Sequence, residues 1–273
     1  MNMSMERRVF TSATGAALVV ALLGGQKIAA QEQDDIADVA SQDLRAGTDE
    51  NKRYYLIEPN KDAAEEEAAP EGGYGLLVVM PGGDGSAEFL SFVKRIYKHA
   101  LPQGYLVAQP VAVKWTDQQQ IVWPTAKNRT PGMKFSTEAF VEAVIQDVEG
   151  KHKLDPERIF TLSWSSSGPA AYAISLTSKK VTGSLVAMSV FKPDVLPPLT
   201  KAKGHGYFLY HSPDDQVCPF RMAEQAVKEL EKNGARVKLM SYAGGHGWRA
   251  GLYDHIRDGI EWLEKNHAKR DKP

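Results

Sequence analysis

The stretch Phe160-Thr161-Leu162-Ser163-Trp164-Ser165-Ser166-Ser167-Gly168 decides how the rest of the chain is read. An apolar run ends on a cluster of small residues and passes directly into a helical stretch, Pro169 to Ser178. A strand that turns sharply into a helix holds its corner residue out at the tip of a sheet, in a strained backbone conformation. The residues two before and two after that corner must be small, because strand and helix approach closely there. Ser163 and Ser167 occupy those positions around Ser165, and one true glycine, Gly168, follows. The pattern is Gly-x-Ser-x-Gly with serine in place of both glycines. Alone, a serine-rich strand end more often marks a loop, so the reading depends on what the rest of the chain supplies.

Two later segments fit, and they come in the matching order. In Gly206-Tyr-Phe-Leu-Tyr-His211-Ser-Pro-Asp214-Asp215-Gln-Val-Cys218-Pro219 an apolar strand is followed within a few residues by two carboxylates. An acid at such a strand end can orient an imidazole and stabilise it once protonated. In Val237-Lys-Leu-Met-Ser-Tyr242-Ala-Gly-Gly-His246-Gly-Trp248 a strand ends in a glycine-flanked histidine. The glycines let the loop bend so that the ring reaches back over the sheet. Upstream, Leu76-Leu-Val-Val-Met80-Pro81-Gly82-Gly83-Asp84-Gly85-Ser86 runs a buried strand into a glycine-rich turn. Backbone N–H groups freed in such a turn can point at a developing oxyanion.

With these four motifs the chain resembles the α/β-hydrolase superfamily. More narrowly, it is similar to bacterial phospholipase/carboxylesterase-like and polyhydroxybutyrate-depolymerase-like esterases. Those families carry His-Gly ahead of the oxyanion turn, where this chain has Pro81-Gly82. They carry Gly-aromatic-Ser-x-Gly-Gly, matched by Ser163-Trp164-Ser165-Ser166-Ser167-Gly168. Their His-Gly-x-x-Asp-x-x-Val-Pro corresponds to His211 through Pro219, and their Gly-Gly-His-x-Trp to Gly244 through Trp248. The resemblance spans roughly residues 52–266. It implies a serine esterase working through an acyl-enzyme, without metal or cofactor, on a small or oligomeric ester.

The candidate roles follow from motif position. Ser165 is the expected nucleophile, His246 the general base and then acid, and Asp215 the orienting acid. Asp214 is the nearest rival for the acid and Asp194 a distant one; the spacing to Val217 and Pro219 favours Asp215. The expected oxyanion donors are the backbone N–H groups of Gly83 and Ser166, with Asp84 pointing away toward solvent or a cap. Trp164 either packs over the turn or lines an acyl pocket, and Trp115, Trp123 and Trp248 are candidates for the pocket rim. His211, at a strand end, is read as structural. The other histidines, 99, 152, 205, 255 and 267, are read as solvated. No histidine–carboxylate spacing suggests a metal, and no glycine-rich turn continues into a nucleotide-binding pattern.

Strands and helices alternate along the chain. Strand patterns fall at 53–58, 76–80, 105–110, 160–164, 184–190, 206–210 and 237–242. Helical spacing relates Phe89, Phe92, Val93 and Ile96. It also relates Phe140, Val141, Val144, Ile145 and Val148 behind the cap Ser136. Further helices fall at 222–233 and 252–267. This alternation predicts an α/β fold, a doubly wound and mostly parallel sheet with helices on both faces. About forty residues separate the helix after Ser165 from the acid strand, and they already hold a strand and a proline loop. No large cap domain fits there, so the site is expected to be open.

The remaining features bound the organisation. Residues 1–30 read as an export signal: Arg7-Arg8, an apolar stretch from Thr14 to Gly25, and Ile28-Ala29-Ala30 as a cleavage site. The apolar stretch is too short for a membrane span, so a periplasmic or secreted product without a stable anchor is expected. Both the general and the twin-arginine export routes stay open. Residues 31–51 read as a mobile polar lead-in and 52–270 as the catalytic domain. The formal net charge of −1 gives no basis for nucleic-acid binding. Cys218 is the single cysteine, which excludes an intrachain disulfide and reads as a small buried filler. A peptidase of the same fold and a non-catalytic binding protein on the same scaffold are the competing functions.

Overall fold

The computed structural model describes residues 35–59 and 69–267. The expected export segment, residues 1–30, lies outside them. The chain separates into two units, residues 1–38 and 39–273. Residues 35–38 of the first form a turn; the second carries the strands and helices described here. No helix among the described residues is long and apolar enough to cross a membrane.

The strands are β1 (Gln42–Arg45), β2 (Arg53–Ile57), β3 (Tyr74–Met80), β4 (Tyr105–Pro110), β5 (Leu154–Trp164), β6 (Gly183–Ala187), β7 (Gly206–His211) and β8 (Arg236–Ser241). The α-helices are α1 (Leu90–Ala100), α2 (Thr137–Glu149), α3 (Gly168–Ser175), α4 (Arg221–Lys232) and α5 (Leu252–Asn266). The eight strands form one sheet in the order β1-β2-β4-β3-β5-β6-β7-β8. β2 runs antiparallel to β1 and β4, and every other pair is parallel. This is the mostly parallel, doubly wound sheet that the alternation predicts.

Burial explains which runs became which strands. Every residue of β4, β6 and β7 is buried, as is all of β3 beyond Tyr74. A strand covered by helices on both faces needs a continuous apolar run, not alternation. One face packs Leu76, Val78 and Met80 against Phe140, Val141, Val144 and Ile145 of α2 and Ala170 and Ile174 of α3. Each of these side chains larger than Ala170 contributes roughly 1.5–3 kcal/mol by leaving water. Ser136 caps α2 as expected, its Oγ accepting the Ala139 N–H at 3.3 Å.

Three readings change in the folded chain. Part of the stretch read as a polar lead-in forms β1, which pairs Gln42–Arg45 with Leu56–Arg53 and places Asp43 2.7 Å from Arg53. It is an edge strand with two exposed residues, so it carries no hydrophobic signature. β6 stops at Ala187 rather than continuing to 190, because Met188 adopts φ +36° and turns the chain under the Ser165 corner. His205 and His267, read as solvated, are 5 % and 6 % exposed. His205 sits at the N-terminal end of β7, where its Nε2 lies 3.2 Å from Ser184 Oγ and its ring packs on Tyr207.

Candidate active site

The corner after β5 is a single 3₁₀ turn, Ser165–Ser167, that leads directly into α3. Ser165 is held at φ +54°, in the left-handed region that a β-carbon disfavours. Such strain persists only where the surroundings fix it. Here they do so on several sides. Buried Ser167 accepts the Trp164 N–H at 3.0 Å and donates to Met80 O at 2.7 Å. Ser189 Oγ donates to the Ser165 carbonyl at 2.6 Å. A β-carbon on Gly168 would lie 2.0 Å from that Ser189 oxygen, so the motif's one true glycine is required by close approach.

The acid and the histidine arrive from the ends of β7 and β8. Asp215 is fully buried in its side chain, and its Oδ1 accepts the N–H groups of Val217 at 2.8 Å and Cys218 at 2.7 Å. Its Oδ2 lies 2.8 Å from His246 Nδ1, and His246 Nε2 lies 3.1 Å from Ser165 Oγ. Burial pushes the Asp215 carboxyl up, but the Cys218 N–H, the His246 ring and the Val217 N–H outweigh it and hold the group below its ordinary value. Asp214, the rival acid, is exposed, and among the described residues its carboxylate accepts only the Gly244 N–H at 3.4 Å. Asp194 lies in a short 3₁₀ turn after β6 and is exposed. His211 is buried, with Nε2 at 2.7 Å from Cys218 O and 3.2 Å from Asp215 Oδ2, behind the carboxylate.

The histidine loop owes its shape to Gly244, Gly245 and Gly247, at φ +112°, +76° and +114°. Side chains that sequence reasoning passed over complete it. Ser212 Oγ accepts the Gly245 N–H at 3.1 Å. Tyr242 donates its hydroxyl to Gly247 O at 3.0 Å. Arg249 donates to Gly244 O at 2.8 Å and to His246 O at 3.1 Å. The Ser212–Gly245 bond joins two loops 33 residues apart, whereas the Tyr242 and Arg249 bonds close within the histidine loop itself.

The glycine-rich turn after β3 closes through Gly85 N to Gly82 O at 3.0 Å, with Gly83 at φ +59°. Among the described residues, the Gly83 and Ser166 N–H groups donate to no backbone carbonyl outside helices and strands. Ser166 Oγ donates to Gly83 O at 2.8 Å, so the two residues expected to supply oxyanion donors are in direct contact. Asp84 is exposed and its Oδ1 accepts the Ser86 N–H at 3.0 Å.

The tryptophans separate. Trp164 is 6 % exposed and meets Phe89, Phe92 and Trp248 with ring centroids 5.6–5.8 Å apart. Trp248 is half-buried beside His246. Trp123, expected at the pocket rim, lies instead beneath the turn: it is 3 % exposed and donates its indole N–H to Pro81 O at 2.9 Å. It lines a small cavity with Val113, Phe135 and Phe140. Trp115 stacks edge-on against Phe135 in the same region.

Among the described residues one further serine–histidine contact exists, Ser184 with His205, but both are buried, no carboxylate among them meets the ring, and burial drives the histidine down to about 3. It is a neutral core contact. The ligand atoms of Asp215, Cys218 and His246 lie within 4.8 Å of one another. The Asp215 oxygens are already committed, and burial together with the Asp215 charge pushes the Cys218 thiol up to about 11. A thiol so held stays protonated near neutrality, and the thiolate is the form that ligates metal.

No protein-family model matches the sequence, and comparison with curated proteins gives no match. Solved structures do match. A bacterial heroin esterase superposes with a TM-score of 0.62 at 17% identity, covering 93% of this chain and 93% of that one. An α/β-hydrolase enzyme from a deep-sea metagenome library gives a TM-score of 0.60 at 14% identity, covering 84% and 98%. An acylaminoacyl peptidase in complex with a chloromethyl ketone gives 0.60 at 13% identity, covering 86% of this chain but only 43% of that one. With the sheet order above and a strained serine at the tip of β5, these likenesses identify the chain as having the α/β-hydrolase fold.

Proposed function

We propose that this protein is a serine hydrolase that cleaves carboxylic esters through an acyl-enzyme. The observation that carries the reading is the unbroken line from Ser165 Oγ to His246 Nε2 at 3.1 Å and from His246 Nδ1 to Asp215 Oδ2 at 2.8 Å, built on a serine at φ +54°. In this reading His246 takes the Ser165 proton as the hydroxyl attacks the ester carbonyl. Asp215 fixes the ring with Nδ1–H toward the carboxylate and stabilises the imidazolium that forms. The oxyanion faces the N–H groups of Gly83 and Ser166, donors worth about 2.7–4 kcal/mol each in comparable sites. His246 then returns the proton to the departing alcohol, and a water molecule repeats the sequence to release the acid.

Esters are favoured over peptides because between α3 and β7 the chain holds only β6 and two short 3₁₀ turns, Pro193–Val195 and Leu199–Ala202. That leaves little to grip an extended peptide. Esterases among the structural neighbours agree with this choice, and the peptidase neighbour keeps amide hydrolysis as the comparison to run. The experiment is labelling with a fluorophosphonate probe, followed by mapping of the adduct. Attachment at Ser165, absent in Ser165→Ala, supports the reading; no labelling of the intact protein overturns it. Turnover of p-nitrophenyl acetate against an aminoacyl anilide then separates ester from amide chemistry.

A further inference from the structure

The two serines that follow Ser165 both reach across to the neighbouring strand and its turn. Ser167, buried, donates to Met80 O at 2.7 Å, at the last residue of β3. Ser166, exposed, donates to Gly83 O at 2.8 Å, three residues further on. Two hydroxyls therefore fasten the 80–83 segment to the corner that carries Ser165. A glycine at 167, as the Gly-x-Ser-x-Gly pattern has it, could make no such bond. The serine in that position does more than fill space.

We propose that Ser166 is a positioning residue whose hydroxyl sets the separation of the two oxyanion donors, with Ser167 anchoring the strand end beneath it. The inference rests on the serine-hydrolase reading above. Its physical basis is that the bond joins the very residues, Gly83 and Ser166, whose N–H groups face the oxyanion in that reading. The turn at Gly83 is a run of small residues, Gly82-Gly83-Asp84-Gly85, with no side chain at 83 to wedge it. Other partners hold its ends: Trp123 at Pro81 O and Gln109 at Ser86 O, at 2.9 and 3.4 Å. At the Gly83 carbonyl the partner is Ser166. Donors stabilise a transition state only if they are already in place when charge develops, and a displacement near 1 Å costs about 10²-fold in rate.

Because Ser166 is exposed, removing its hydroxyl opens no cavity, and water can solvate the Gly83 carbonyl that it leaves. Fold and rate are therefore separable. Ser166→Ala is expected to lower kcat about 10–100-fold with KM within about threefold, and to leave Tm within about 2 °C. The affinity of a phenylboronic acid, whose tetrahedral adduct places an oxygen in the same site, should fall by a similar factor. Ser166→Thr keeps the hydroxyl and is expected to return kcat to within about threefold of the parent. If Ser166→Ala stays within twofold of an active parent in both kcat and boronate affinity, the clasp is overturned and the hydrolase reading stands. A change confined to KM, or a loss that Ser166→Thr fails to restore, overturns it as well. An intact protein that neither turns over esters nor reacts with a fluorophosphonate overturns the hydrolase reading, and the clasp with it.

Discussion

Replacing Asp215 by asparagine tests the proposed catalytic line at its most constrained point. Asp215 Oδ1 accepts two backbone N–H groups, from Val217 and Cys218, at 2.8 and 2.7 Å. The asparagine must keep its oxygen there, because an amide nitrogen facing two donors would leave three polar groups unpaired in a buried loop. Its NH₂ therefore takes the place of Oδ2, 2.8 Å from His246 Nδ1. That nitrogen then has to accept a hydrogen bond, so the ring proton moves to Nε2, where it points at Ser165 Oγ. A ring in that tautomer cannot take the serine proton. The expected loss is about 10⁴ in kcat, or about 5.5 kcal/mol at 1.36 kcal/mol per decade. Asp214→Asn is the control: its carboxylate is exposed and receives one long bond from Gly244, so a change of less than about fivefold is expected. The assay is steady-state hydrolysis of p-nitrophenyl acetate, with near-ultraviolet circular dichroism to show that both variants are folded. A folded Asp215→Asn within tenfold of the parent, or an Asp214→Asn loss of equal size, would refute the argument.

Ser165→Ala and His246→Ala should each lower kcat by about 10⁴–10⁶, and the double variant should lose little more, because the groups act as one unit; effects that multiply would show that they do not. Gly168→Ala drives a methyl into Ser189 and should destabilise by roughly 1–3 kcal/mol, with part of that recovered in Gly168→Ala/Ser189→Ala. Equal urea midpoints for single and double variants would count against the contact. His205 is held neutral by burial down to about 3, so the unfolded chain binds a proton that the folded chain refuses between that value and about 6.5. Stability should fall by up to 1.36 kcal/mol per pH unit as pH drops through that window, and His205→Gln should flatten this slope; parallel slopes from urea titrations at pH 7 and 5 would sink the idea. With only β6 and two short 3₁₀ turns between α3 and β7, kcat/KM is expected to level off or fall beyond short acyl chains, since a CH₂ gains about 0.8 kcal/mol only where a wall covers it. A steady rise to long-chain esters would contradict it.

Much of this arrangement is legible in the residues. The continuous apolar run at 76–80 and the strand patterns at 105–110 and 206–210 each became a buried strand, and the spacing of Phe140, Val141, Val144 and Val148 became the buried face of α2. The order of the serine, acid and histidine motifs placed three candidate side chains at the ends of β5, β7 and β8 before any contact was known. These features are local: a covered strand and an amphipathic helix each write their burial into neighbouring positions. β1 escaped because an exposed edge strand is held by backbone pairing, and its residues are polar. His205 escaped because a lone histidine beside a strand carries no mark of the Ser184 and Tyr207 partners that enclose it. Trp123 escaped because nothing near it in sequence says that its indole meets Pro81, 42 residues away.

The sequence by itself determined the fold class, the strand ends on which the chemistry-bearing residues stand, and their order along the chain. The tertiary structure decided which of two adjacent aspartates meets the histidine, since Asp215 turns inward onto two N–H groups while Asp214 turns to solvent. It also decided that the serines replacing the motif's glycine and following Ser165 bond to Met80 and Gly83. These contacts span 31 residues between His246 and Asp215, 81 between His246 and Ser165, and 83 between Ser166 and Gly83. Local patterning fixes where a strand ends. The angle at which its loop leaves, and so what the next side chain touches, is set by the strands packed beside it.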